Sequence, residues 1–176
     1  MITVGCESEK RNTIRIIKMS TFFTCRLYFY ILGKADTIMG CISEITGQTR
    51  LTGLLGSPVS HSKSPLMHNE AYRLLGLDYV YLCFDVPENN LQVAFEGLKK
   101  LNVAGFNCTM PDKTLMSKLV DELSPAAKII SAVNTVVNDN GKFVGHNTDG
   151  TGYIRSLQDC GHNIVFGGLK NRLRNI

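Results

Sequence analysis

From Leu51 onward, short apolar runs alternate with amphipathic stretches, and this alternation restricts the chain to a fold of βα units more tightly than any other feature it carries. Residues 51–56 read as a buried strand ending on glycine. The loop 57–64 then leads through Pro65 into a helix bearing Leu66, His68, Asn69, Tyr72, Leu74 and Leu75 and closed by Gly76. Residues 79–86, rich in aromatic and β-branched side chains, form a second strand. Pro87 with Leu91, Val93, Ala94, Leu98 and Leu101 marks a second helix, and 103–107 a third strand. Helical material follows through Leu119 and again from Ser124, a natural cap with Pro125 behind it. Strands at 132–137 and 142–147 flank the turn Asp139-Asn-Gly141, a hairpin signal, and a last helix runs from Asp149 to Gln158. The expected class is α/β, with a mostly parallel open sheet, one antiparallel hairpin and flanking helices, in one domain over 39–164.

Charge bears on what such a domain binds. The 19 Lys and Arg against 15 Asp and Glu give +4, a balance that invites nucleic acid or a membrane surface. Its distribution argues otherwise. Residues 1–38 hold six basic and three acidic side chains, and 165–176 hold Lys170, Arg172 and Arg174 with no acid. The body is therefore slightly acidic, and neither a nucleic-acid partner nor a membrane is expected for it. Residues 1–38 read as an extension outside the fold, with Met39 a credible second start. The apolar run 21–32 is split by Arg26 and falls short of the about 20 residues that cross a bilayer. Six scattered cysteines without CxxC or zinc spacing read as free thiols in a reducing cytoplasm, with no metal site. Copy number is left open.

In an open α/β sheet ligands sit beyond the carboxyl ends of the strands, so three loops carry the candidate chemistry. The first is Gly56-Ser-Pro-Val-Ser-His-Ser-Lys-Ser-Pro65. Ser64 reads there as a helix N-cap and Ser62 as a free hydroxyl, beside a helix end suited to a carboxylate or phosphate; simple capping serines fit the loop equally well. The second is Asn107-Cys-Thr-Met-Pro-Asp-Lys113, where a lysine opens a helix, against the preference of the dipole. The third is Gly145-His-Asn-Thr-Asp-Gly150, with Asp149 at a helix start. If the strands 103–107 and 142–147 lie close in the sheet, Lys113 and Asp149 form an oppositely charged pair lining one cleft.

Taken with Met67-His68 and Ala132-Val-Asn-Thr135, these strings resemble, in order and spacing from 39 to 164, the substrate-binding domain of the shikimate dehydrogenase family. The resemblance implies that Ser62 and Ser64 hold a substrate carboxylate and that Asn107, Thr109, Asn134 and Asp149 bind ring hydroxyls. It implies Lys113 and Asp149 as the catalytic pair in NADP-dependent interconversion of 3-dehydroshikimate and shikimate, a step toward chorismate and the aromatic amino acids. Lys63 in His61-Ser-Lys63-Ser fits the shikimate-specific rather than the quinate-tolerant branch. Cys108 and Asp112 depart from the family pattern. A glycine-rich NADP turn and Rossmann domain are not found by 176, and 165–176 reads as an aberrant tail. The expectation is a substrate half that shows no turnover alone; a non-catalytic shikimate or quinate module, or an inactive remnant, is the alternative.

Overall fold

The computed structural model describes residues 45–160; the expected extension over 1–38 and tail over 165–176 lie outside the described residues. Strands β1 (Arg50–Gly56), β2 (Tyr79–Asp85), β3 (Gly105–Cys108), β4 (Glu122–Leu123), β5 (Thr135–Asp139) and β6 (Lys142–His146) form one sheet in the order β2-β1-β3-β5-β6-β4. Helices α1 (Ser64–Leu74), α2 (Leu91–Lys100), α3 (Lys113–Leu119), α4 (Pro125–Ile130) and α5 (Asp149–Asp159) connect the strands or follow them. A single 3₁₀ turn, Glu88–Asn90, precedes α2.

The α/β class and the mostly parallel sheet stand as expected: β1 pairs in parallel with β2 and β3, and β4 with β6. The β5–β6 hairpin turns on Asn140 and Gly141, both at positive φ, as its sequence predicts. Two details differ. β3 and β5 also pair antiparallel, with Asn107 opposite Thr135. β4, only two residues long, is too short to leave a sequence pattern; it is held by β6 and by Asp121, whose carboxylate accepts from the Phe143 amide at 2.8 Å.

Side-chain alternation along β1 separates two apolar layers. Leu55 faces a core with Leu91, Phe95, Phe106, Met116, Val133 and Phe143, in which Phe95 meets Phe106 and Phe143 edge-on at 6.0 and 5.7 Å. Leu54 faces the other layer with Val59, Tyr72, Tyr79, Tyr81 and Ala104. This second layer is polar at its heart. Tyr72 bonds Thr52 at 3.0 Å, and the neutral ring of His68 stacks flat on Tyr81, with centroids 4.1 Å apart.

The strand directions assemble the site. β1 and β3 end at one edge of the sheet, β5 begins there because it runs antiparallel to β3, and β6 ends there because it runs antiparallel to β5. The loops after β1 and β3, the residues entering β5 and the loop after β6 therefore overhang one edge. Gly56 lets the first two approach, since any side chain there would overlap the methyl of Thr109.

Candidate active site

Lys113 and Asp149 meet above that edge: the ammonium donates to Oδ2 of Asp149 at 2.6 Å. Their side chains are 28% and 41% exposed, so the pair is open to a ligand. Only β5 lies between β3 and β6, so the two strands lie close in the sheet, and the pair closes because α3 and α5 both start above the same edge. The second oxygen of Asp149, Oδ1, accepts from Asn134 Nδ2 at 2.6 Å. Asn134, nearly buried, also donates to Thr148 Oγ1 and accepts from the Thr148 amide at 3.0 Å, which fixes the orientation of its amide.

Asn107 sits one layer deeper, 3% exposed. Its Oδ1 accepts from the Tyr81 phenol at 2.8 Å, and its Nδ2 donates to Thr135 Oγ1 at 3.1 Å and to the Asn134 carbonyl at 3.3 Å. Thr109 is half-buried in the loop after β3, its amide bonded to the Leu55 carbonyl at 2.9 Å. Thr109, Ser62 and Lys63 line a cavity of about 460 Å³ together with Leu54, Val59 and Met110.

The serine loop differs from its sequence reading in one respect. Ser64 is the first residue of α1 rather than its cap, with Lys63 in the cap position and Pro65 behind. Ser62 makes the turn: its Oγ accepts from the Ser64 amide at 3.2 Å. Proline after serine suits either register, so the sequence could not place the helix start to within one residue. The Cys83 thiol on β2 is pushed above its ordinary range by burial.

Asp112 is an outlier beside this site. Its carboxyl is fully buried with no hydrogen-bond partner on either oxygen, and burial, then the charge of Glu88, raises its pKa. A buried carboxyl prefers its neutral form, so its raised folded pKa favours the fold at low pH and costs stability as pH rises above 3.8. Asp112→Asn is accordingly expected to gain on the order of 1 kcal/mol over the parent at pH 7 and little at pH 3.5. Urea unfolding at the two values reads this, and an equal effect at both would refute the assignment.

Among the described residues no group of three or more His, Cys, Asp and Glu is placed to hold a metal, and no helix is long and apolar enough to cross a membrane. Nor do they contain a G-x-G-x-x-G string to cradle a dinucleotide pyrophosphate.

Residues 54–136 match the model of the shikimate dehydrogenase substrate binding domain. The shikimate dehydrogenase (NADP(+)) of Listeria monocytogenes is 54% identical over 122 residues, covering 69% of this chain and 42% of that protein. Over residues 54–136 the chain carries the substrate binding domain of the shikimate dehydrogenase family. The relative from Alkaliphilus metalliredigens is 58% identical over 118 residues, covering 67% of this chain and 41% of that protein. Among solved structures, Listeria monocytogenes shikimate 5-dehydrogenase in complex with shikimate and NAD superimposes with a TM-score of 0.68 at 52% identity, covering 71% of this chain and 43% of that one. A ligand-free 5-ketofructose reductase of Gluconobacter is similar at a TM-score of 0.62 and 35% identity, covering 65% of this chain and 41% of that one. The chain thus spans about two fifths of the shikimate dehydrogenases it matches.

Two residues that organise this cluster received no role from the sequence: Tyr81 read as a strand residue, and Thr135 only as the end of the string Ala132-Val-Asn-Thr135. A phenol on the same face of β2 as Tyr79, facing a polar asparagine across the sheet, is the signal that would have drawn attention to the first.

Proposed function

We propose that this domain binds shikimate and 3-dehydroshikimate and serves their NADP-dependent interconversion as the substrate-binding part of a shikimate dehydrogenase. The Lys113–Asp149 ion pair, poised and partly open above the carboxyl edge of the sheet, carries the reading. Ser62 and Ser64 at the start of α1 take the carboxylate, helped by the amides of that helix end. Thr109, Asn134 and Asp149 face the ring hydroxyls, with Asn107 behind them.

The chemistry asked of these residues is proton handling and orientation. An alcohol that becomes a ketone must lose its hydroxyl proton as its hydride leaves, and a ketone that is reduced must gain one. Lys113 lies at the point where that oxygen would sit beside Asp149. Asp149 holds the lysine in place and is itself held, through Oδ1, by the Asn134 amide. NADP is the redox partner in the name of the curated relatives. No described residue forms a cradle for it, so what these residues supply is binding, orientation and the proton.

Titration calorimetry of the purified chain with shikimate tests the proposal. Saturable binding to one site is expected, weakened about tenfold or more for the methyl ester, which removes the charge that Ser62 and Ser64 receive. Absence of binding at millimolar shikimate, or equal affinity for acid and ester, would refute it. Quinate in a parallel titration reports on the branch expected from Lys63.

A further inference from the structure

Four hydrogen bonds run in one direction through the floor of the site. The Tyr81 phenol donates to Asn107 Oδ1 at 2.8 Å, Asn107 Nδ2 to Thr135 Oγ1 at 3.1 Å, Thr135 Oγ1 to Asn134 Oδ1 at 3.0 Å, and Asn134 Nδ2 to Asp149 Oδ1 at 2.6 Å. Amide oxygens only accept and amide nitrogens only donate, so the direction of every link is fixed by atom type. We propose that Tyr81 is a positioning residue for the Lys113–Asp149 pair, acting through this file of donors; the inference rests on the reading of that pair as the proton-handling site.

Each donation into an amide oxygen polarises that amide and strengthens its own N–H as the next donor, and the low dielectric of a buried file preserves the effect. Tyr81, Asn107 and Thr135 are all buried, and Asn134 is 4% exposed, so water does not short-circuit the links. The head of the file is held unusually still. The Tyr81 ring lies flat on His68, and its backbone is clamped on both sides by Asn69, whose Oδ1 accepts from the Tyr81 amide at 2.8 Å and whose Nδ2 donates to its carbonyl at 3.0 Å. One side chain on β2 therefore reaches, through three intervening residues, the acid that holds the lysine.

The test uses the full chain without ligand, observed by NMR at one pH through the side-chain amides of Asn107 and Asn134 and the Asp149 carboxyl carbon. Tyr81→Phe is expected to shift all three signals, the proton shared between Asn134 and Asp149 moving upfield as that bond weakens. Tyr72→Phe is the control, since it removes a phenol equally buried in the same layer but bonded to Thr52 outside the file. Thr135→Val, near-isosteric, cuts the file downstream: it should move Asn134 and Asp149 alike, and adding Tyr81→Phe to it should move them no further. Unchanged Asn134 and Asp149 signals in Tyr81→Phe, the same shifts in Tyr72→Phe, or shifts that survive the Thr135→Val cut would each overturn the inference. Should Tyr81→Phe not fold, 3-fluorotyrosine at position 81, a stronger donor to Asn107 Oδ1, is read instead: it should move the Asn134 and Asp149 signals, and unchanged signals would overturn the inference. Shikimate affinity of Tyr81→Phe is expected to fall about three- to tenfold. A parent chain that binds no shikimate defeats the functional reading and leaves the NMR test intact.

Discussion

Asp149→Asn is expected to weaken shikimate binding about 10- to 100-fold, more than its loss of one charge suggests. In the parent both carboxylate oxygens are acceptors with a committed donor: Oδ2 faces the Lys113 ammonium and Oδ1 the Asn134 amide. An asparagine has one oxygen and one NH2, so whichever way it turns it sets a donor against a donor. It must give up either the lysine or Asn134. Turned toward Lys113 it releases Asn134, and turned toward Asn134 it repels the ammonium meant to meet the reacting oxygen. Asp149→Ala removes the conflict with the interaction and is expected to be no worse. Lys113→Met should weaken binding less than Asp149→Asn and remove proton exchange with the substrate hydroxyl, because it leaves the Asp149–Asn134 contact standing. Since Asp149 is well exposed, none of the three should cost the fold more than a small shift in thermal midpoint. Calorimetry with shikimate and thermal unfolding, run on the same three variants, check this ordering. Equal affinity of Asp149→Asn and the parent would remove the pair from the site.

Much of this arrangement was legible in the chain because its signals are local. The βα alternation, the Asp139-Asn-Gly141 hairpin, the Ser124 cap and the loop strings each depend on a few adjacent residues, and the structure realises them: the Ser124 hydroxyl accepts from the Ala127 amide at 3.4 Å. What failed to read depends on partners distant in sequence. β4 exists only because β6 offers it a ladder, and the antiparallel β3–β5 pairing is decided by sheet packing. Lys113 and Asp149 are 36 residues apart, and sequence could bring them together only on the condition that their strands lie close, which the single intervening strand β5 satisfies. Tyr81 was hidden for the opposite reason. An aromatic residue in a strand is explained by β propensity alone, so nothing in the sequence demanded a further role for its hydroxyl.

His68 shows the same economy with a larger thermodynamic consequence. It is 3% exposed, its Nε2 has no hydrogen-bond partner, and burial pulls its pKa from 6.5 down to about 4. The unfolded chain therefore takes up a proton that the fold refuses. The stabilisation from keeping this histidine neutral is complete above pH 6.5 and drains away as pH falls toward 4, amounting to about 3 kcal/mol across the window. Carboxylates with lowered pKa, Glu70 held by Arg73 and Asp121 held by the Phe143 amide and Lys99, lose their contribution only below about pH 4.5, near and under their ordinary values. Asp112 works with the opposite sign, since its neutral form gains as pH falls. The acid limb between pH 6.5 and 4.5 is thus assigned to His68. His68→Phe, which keeps a flat ring against Tyr81 and buries no unpaired nitrogen, should nearly abolish it and leave stability at pH 7 equal or higher. Urea unfolding of parent and variant at intervals from pH 7 to 4.5 measures the slope. A limb that persists unchanged in His68→Phe would place the titrating group elsewhere in the chain.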